Sequence, residues 1–138
     1  MSILYKILVA SGSLTTVAFG LWHFFVPRAW KWWSYIDPKA TELVAAVRAI
    51  NVFFSLSLVL FGLLNLVLVF SGRANRFSIL VLLAATCLLW VTRVVMQIAF
   101  PQGSINPALQ YGMLTVFVLV TLCFLVSLGL VLFQKPVY

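Results

Sequence analysis

A histidine, two arginines and three amide side chains lie within long apolar stretches of this 138-residue chain: His23, Arg48, Asn51, Asn65, Arg93 and Gln97. A carboxylate, Glu42, lies at the edge of one stretch. Polar groups inside apolar segments are costly unless they are paired or face a water-filled interior. Guanidinium groups suit a carboxylate, a phosphate or a polarised carbonyl group. These residues are therefore the candidates for binding or catalysis.

Most of these groups are predicted to lie at one depth. His23 lies about one helical turn before the end of the first apolar stretch. Arg48 lies about 10 Å along the helix axis from the start of the second stretch, and Arg93 a similar distance from the end of the third. Asn51 and Gln97 each lie one turn away from an arginine. The three stretch ends open onto the same side, so these groups share one half of the bilayer.

Helical spacing also groups the polar residues on helix faces. A spacing of three and then four residues marks one packed face of a helix. Two such faces occur: Arg48, Asn51, Ser55, Leu58, Gly62 and Asn65; and Thr86, Trp90, Arg93 and Gln97. The first span carries a third face of small and polar residues, Gly12, Thr16, Gly20 and His23, of the kind that lets membrane helices approach closely. They predict a polar, net-positive pocket between the first three spans, with ligand-binding residues His23, Arg48, Asn51, Trp90, Arg93 and Gln97. The alternative is that the arginines reach lipid phosphates and the amides only tie helices together.

The elements that must position these residues are membrane helices. The chain is 64% apolar and 8% charged, whereas about a quarter of the residues in a soluble domain are charged. Apolar stretches cover residues 3–26, 41–70, 77–100 and 109–133, and each is long enough to cross a bilayer. We therefore predict an all-α, multi-pass membrane protein: a single-domain bundle of four transmembrane helices over residues 1–138. Pro27 is expected to end the first span, which is too long for the apolar core of a signal peptide.

The first connection is a short aromatic segment over residues 28–39. Aromatic rings and basic groups concentrate where a membrane meets water. We therefore predict an interfacial segment, with an aromatic lid over a ligand as the alternative. Its rings are Trp30, Trp32, Trp33 and Tyr35, and its basic residues are Arg28, Lys31 and Lys39.

The net charge of +7 comes from nine Lys and Arg residues set against Asp37 and Glu42. No run of basic residues forms a patch, so we expect membrane lipids and not nucleic acid as the partner. Cys87 and Cys123 lie within apolar stretches without a C-x-x-C motif, so neither a thiol redox pair nor a metal site is predicted. The basic residues slightly favour termini on the cytoplasmic side. That side would hold Lys6, Arg73, Arg76 and Lys135.

The predicted function is a membrane binding protein or accessory subunit with a pocket for an amphipathic anionic or carbonyl-bearing ligand, such as a lipid or a quinone. Haem is not favoured, because His23 is the only histidine. One alternative is an enzyme that uses His23 and Glu42 as an acid–base pair. Another is a purely structural subunit, in a homo-oligomer or a larger membrane complex, whose fourth span, with Phe117 and Phe124, faces a partner as readily as lipid.

The end of the first span carries the motif GLWHFFVP over residues 20–27. This motif, together with the four spans, resembles the DoxX-like small membrane proteins, which tend to place an H-F-x-x-P-like element there. Residues 61–64, FGLL, are a more general similarity. The resemblance implies a four-helix bundle with a cavity between helices. It implies little about activity, since the group is functionally mixed and only some members are tied to redox or quinone-linked systems. This chain lacks paired cysteines and has few acidic residues in its spans, so thiol chemistry and carboxylate-centred binding are not supported.

Overall fold

The computed structural model describes residues 2–134, and within that range the secondary structure is entirely helical. Four long helices are apolar enough to cross a membrane, which confirms the predicted all-α, four-span architecture. A short helix and a 3-10 turn lie in the first connection. In chain order the elements are α1 (Ile3–His23), α2 (Val26–Ala29), the 3-10 helix (Trp32–Tyr35), α3 (Thr41–Phe70), α4 (Arg76–Ala99) and α5 (Pro107–Phe133).

The helix ends follow local sequence signals. Asn75 caps α4 by accepting a hydrogen bond from the Ser78 amide at 2.8 Å. Asn106 caps α5 in the same way, and Pro107 occupies the first helical turn. The first span departs from its predicted end, because α1 stops at His23 and Pro27 lies in the first turn of α2. Proline is well accommodated in a first turn, so it begins a new helix here instead of ending the old one. Lys135 lies outside the described residues.

The long helices form a closed bundle with one weak side. α1 packs most extensively against α3, α4 packs against α5, and α1 also contacts α5, while α3 and α4 form the weakest of the four interfaces around the bundle. Glycines allow the close approach of α1 and α3. A Cβ atom added at Gly62 would lie 2.6 Å from Val17 Cγ2 and 2.8 Å from the Ser13 carbonyl oxygen. Small residues at this interface are typical of membrane helices that pack without a gap.

The fourth long helix contributes its aromatic residues to the core. Phe117 is 1% exposed and Phe124 is fully buried, and they join apolar residues of α1 and α4, such as Val9 and Leu83. The sequence left open whether this span, with these two rings, faces lipid or a partner, because α5 is apolar on all sides. The structure turns them inward.

Polar side chains tie the helices together inside the apolar bundle. Asn65 on α3 donates to Thr86 Oγ1 on α4 at 2.8 Å. Trp90 Nε1 on α4 donates to Thr16 Oγ1 on α1 at 3.1 Å. At the end of the bundle that carries the α3–α4 turn, the Arg76 guanidinium donates to the carbonyl oxygens of residues 131 and 132, in the last turn of α5. A cation at a helix C-terminus satisfies carbonyl groups that have no partner in the helix.

Candidate ligand-binding site

A cavity of about 410 Å³ lies where α3 and α4 diverge, at the end of the bundle that carries the aromatic segment. We call it the α3–α4 cavity. Its lining combines three of the polar side chains that were singled out from the sequence with a mostly apolar wall. The lining residues are His23, Trp32, Val47, Ile50, Asn51, Phe54, Arg93, Met96, Phe100 and Gln102.

His23 is held at the inner wall of the cavity by aromatic rings. It is the last residue of α1 and is buried. Its ring centroid lies 4.6 Å from that of Phe54 on α3, 5.7 Å from Phe19 and 6.3 Å from Trp32, all in edge-to-face arrangements. These contacts fix the plane of the imidazole, so its polar edge has a defined direction.

Arg93 is the only charged side chain that lines the cavity. It is half-buried, and its guanidinium carbon lies 4.4 Å from the centre of the Phe117 ring, a cation–π contact with the core. One terminal nitrogen donates to Gln102 Oε1 at 2.7 Å. The acceptor for this cation is therefore a neutral amide oxygen and not a carboxylate, which would form an ion pair.

Several buried polar atoms around the cavity have no hydrogen-bond partner among residues 2–134. They include His23 Nδ1 and Asn51 Oδ1, both from residues that line the cavity, and Gln97 Oε1. Buried polar atoms nearly always have a partner in the protein or a bound molecule. The base of the cavity therefore offers polar atoms with which an additional molecule can form hydrogen bonds.

The outer rim of the cavity is apolar and lies on the surface of the bundle. Ile50, Met96 and Phe100 are 68%, 46% and 69% exposed, and all three line the cavity. The cavity is thus open at an apolar surface, and most of that surface belongs to helices with the length and composition of membrane spans. A molecule with a polar head and an apolar chain fits this gradient from base to rim.

Two of the predicted binding residues lie near the cavity without lining it. Trp90 is buried and uses its only donor on Thr16, and its ring packs on Phe19 and Phe117, so it supports the cavity from below. Gln97 is buried one turn along α4 from Arg93, where its Nε2 donates to the Gln102 carbonyl oxygen at 3.0 Å. Both residues position parts of the site.

Arg48 does not join the site, contrary to the prediction. It is exposed, and its guanidinium carbon lies 5.5 Å from the ring centre of Trp33 in the aromatic segment. The reason is the unequal length of α1 and α3. α1 ends at His23, beside Phe54, so the turns of α3 before Asn51 extend past the end of α1. The spacing of three and four residues continues through these turns of α3, but Arg48 is exposed.

Glu42 is exposed in the first turn of α3 and is not among the residues that line the cavity. At the rise of an α-helix it lies about 13 Å along the axis from Asn51. The structure therefore brings His23 together with Asn51 and Arg93, and it does not bring Glu42 to them.

The aromatic segment contributes more to the site than an interfacial anchor would. Trp32 is half-buried and lines the α3–α4 cavity, as well as a second cavity of about 390 Å³ between the aromatic segment and the α4–α5 loop. Trp30 and Tyr35 line only the second cavity. Trp32 thus separates the two spaces, a role that its position in a Trp-rich loop did not predict.

Phe54 and Gln102 were missed from the sequence. Phe54 lies three residues after Asn51 on α3, so the helical spacing contained a signal for it. Gln102 lies in an uncharged loop and reaches the site through a contact with Arg93, which no spacing rule predicts. Among the described residues, no group of His, Cys, Asp or Glu side chains is arranged to hold a metal ion.

Comparison with known proteins adds no relative to this description. The chain matches no family model, no curated protein and no solved structure. The similarity of the GLWHFFVP motif to the DoxX-like proteins stays a prediction, and the α3–α4 cavity must be interpreted from its own chemistry.

Proposed function

We propose that this protein is a membrane-embedded binding protein or accessory subunit whose α3–α4 cavity holds the head group of an amphipathic anionic or carbonyl-bearing ligand, such as a lipid or a quinone. The observation that carries the proposal is the half-buried cation of Arg93. It lines a cavity with unpartnered polar atoms at its base and an exposed apolar rim.

The charge balance of the cavity supports this proposal. A cation withdrawn from water is destabilising unless an opposite charge or several hydrogen bonds compensate it. The hydrogen bond that Arg93 makes within the described part of the chain goes to a neutral amide oxygen. A carboxylate, phosphate or carbonyl oxygen of a ligand would add the missing partner, and a cavity of this size accommodates a head group with part of its chain.

The two alternatives receive less support. The acid–base pair needs Glu42 near His23, and Glu42 lies exposed outside the cavity lining. A purely structural subunit needs its polar faces to be filled by its own helices. They are filled at Asn65 and Trp90 but not at Asn51 and His23, whose buried atoms have no partner within residues 2–134.

Ligand retention tests the proposal. We expect native mass spectrometry of gently purified protein to show a bound lipid or quinone, and we expect Arg93→Gln to lose it because the cation is removed while the side-chain length is roughly kept. Arg48→Gln is the matched control, since Arg48 is exposed and outside the cavity. Absence of any bound molecule in the wild-type protein, or equal retention in Arg93→Gln, would overturn the proposal.

A further inference from the structure

We infer that the Gln102 side chain occupies the position beside Arg93 that the head group of a ligand takes, and that a ligand must carry an anionic head group to displace it. This inference rests on the proposed function and narrows it. The proposed function admits any acceptor oxygen on an amphipathic molecule. The contacts of Gln102 restrict the class to an anionic oxygen acid, a carboxylate or a phosphate, on an apolar chain.

Gln102 is held at the cavity by contacts at both its side chain and its backbone. Its Oε1 atom accepts a hydrogen bond from Arg93 at 2.7 Å, and its carbonyl oxygen accepts one from Gln97 Nε2 at 3.0 Å. Gly103 follows with a φ of 75°, a conformation that favours glycine and turns the chain away from α4. The loop is therefore docked onto α4 at one residue, and that residue lines the cavity.

The strength of competing acceptors decides which ligands bind Arg93. An ester, ketone or amide oxygen would replace the Gln102 oxygen with another neutral acceptor, so little free energy is gained. A carboxylate or phosphate forms charge-assisted hydrogen bonds, which are roughly twice as strong, and it can engage two guanidinium nitrogens at once. An anionic head group therefore gains more than a neutral one by displacing Gln102.

Within residues 2–134, no side chain that lines the cavity carries a negative charge. The sequence contains two acidic residues, Asp37 and Glu42, and both are exposed and absent from the lining. Arg93 is also fixed from the other side by the Phe117 ring, so it stays at the cavity. A negative charge that neutralises Arg93 must therefore come with the ligand.

The test measures binding of brominated probes by quenching of tryptophan fluorescence, since Trp32 lines the cavity. The probes are dibromostearate, its neutral methyl ester and a brominated phosphatidic acid. The protein is kept in nanodiscs of zwitterionic lipid. We expect the wild-type protein to bind at least one anionic probe about tenfold more tightly than the ester. The order of the two anionic probes identifies the head group as carboxylate or phosphate.

Gln102 variants separate displacement from simple binding. We expect Gln102→Ala to tighten binding of the anionic probe about threefold or more, because no internal acceptor competes. We expect Gln102→Glu to weaken it about tenfold, because an internal carboxylate then pairs with Arg93. Ser104→Ala, an exposed change in the same loop, should match the wild type. Both effects should vanish when Arg93→Gln is added.

The outcomes distinguish this inference from the proposed function. If Arg93→Gln binds every probe as the wild type does, the cavity is not the binding site, and both the proposed function and this inference are wrong. If Arg93→Gln loses binding while Gln102→Ala and Gln102→Glu match the wild type, the proposed function stands and displacement of Gln102 is wrong. Equal binding of the ester and the anionic probes would overturn the anionic ligand class.

Discussion

Trp90 connects α4 to α1 through one hydrogen bond inside the apolar core. Its Nε1 donates to Thr16 Oγ1 at 3.1 Å, and the same hydroxyl donates to the Gly12 carbonyl oxygen at 2.7 Å. The threonine hydroxyl is thus fully used, as donor and as acceptor. Hydrogen bonds between membrane helices contribute modestly to stability, because the separated helices find other partners in the membrane. This pair sits below the cavity, so it also fixes the distance between α1 and α4 there.

The Trp90–Thr16 hydrogen bond can be measured by a double-mutant cycle. Trp90→Phe and Thr16→Val each remove one partner, and we expect a coupling free energy of about 0.6–1 kcal/mol. Reversible unfolding in bicelles gives the required free energies of unfolding. Thr15→Val is the control, because the Thr15 hydroxyl bonds to the Ser11 carbonyl oxygen of its own helix. The same coupling between Trp90→Phe and Thr15→Val would contradict a specific hydrogen bond.

Helix spacing predicted much of the site at the level of single residues. Helical spacing grouped His23, Asn51 and Arg93, and the structure places all three in the lining of one cavity. That they bind a ligand stays a prediction. Arg48 was wrongly placed in the group, since spacing does not show where a neighbouring helix ends. Gln102 was missed because its position depends on how a loop folds back onto α4.

At the scale of the elements, the α1–α3 interface is the tightest in the bundle. Gly62 on α3 lies against Val17 and the backbone of Ser13, with no space for a methyl group. Gly20 makes the reciprocal contact from α1, where an added Cβ would lie 2.9 Å from Leu58 Cβ. The pairing of α1 with α3 therefore depends on two small residues, one from each helix.

A glycine pair tests this interface. We expect Gly62→Ala to lower the free energy of unfolding by about 1–3 kcal/mol, because a methyl group forces the two helices apart. Gly129→Ala on α5 is the matched control, since an added Cβ there meets nothing within 4 Å. It should leave stability unchanged or raise it slightly, because alanine favours a helix more than glycine does. Equal loss of stability in both variants would contradict a close α1–α3 contact.

The whole molecule has two chemically different ends. One end carries the aromatic segment, the α4–α5 loop and the α3–α4 cavity. The other end carries the N-terminus and the short α3–α4 turn with Arg73 and Arg76. The number of spans and their approximate bounds were predicted from apolar length alone, since an apolar helix of this length crosses a bilayer with all its backbone hydrogen bonds made internally. Which helices pack against each other was not predicted, because all four helices are apolar on most of their surface.

Accessibility labelling tests this arrangement and the predicted orientation. We expect Ser34→Cys and Ser104→Cys to react with a membrane-impermeant maleimide added outside intact cells, and Ser71→Cys not to react, because the termini and the α3–α4 turn are predicted on the cytoplasmic side. The unmodified protein is the control for Cys87 and Cys123. Labelling of Ser34→Cys and Ser104→Cys from opposite sides would contradict four spans, and labelling of Ser71→Cys alone would reverse the orientation.

Under the proposed function, the exposed apolar rim of the α3–α4 cavity has a consequence for how affinity should be expressed. A ligand that enters from the bilayer never exists at a meaningful concentration in water, so the quantity that sets occupancy is its mole fraction among the lipids. The two helices are joined by a tight turn and by the Asn65–Thr86 hydrogen bond far from the rim. Under the proposed function, entry from the bilayer would be an exchange between one ligand and lipid chains at Ile50, Met96 and Phe100, the exposed residues of the rim. A change in bilayer composition should alter occupancy even when the protein and the total amount of ligand stay the same.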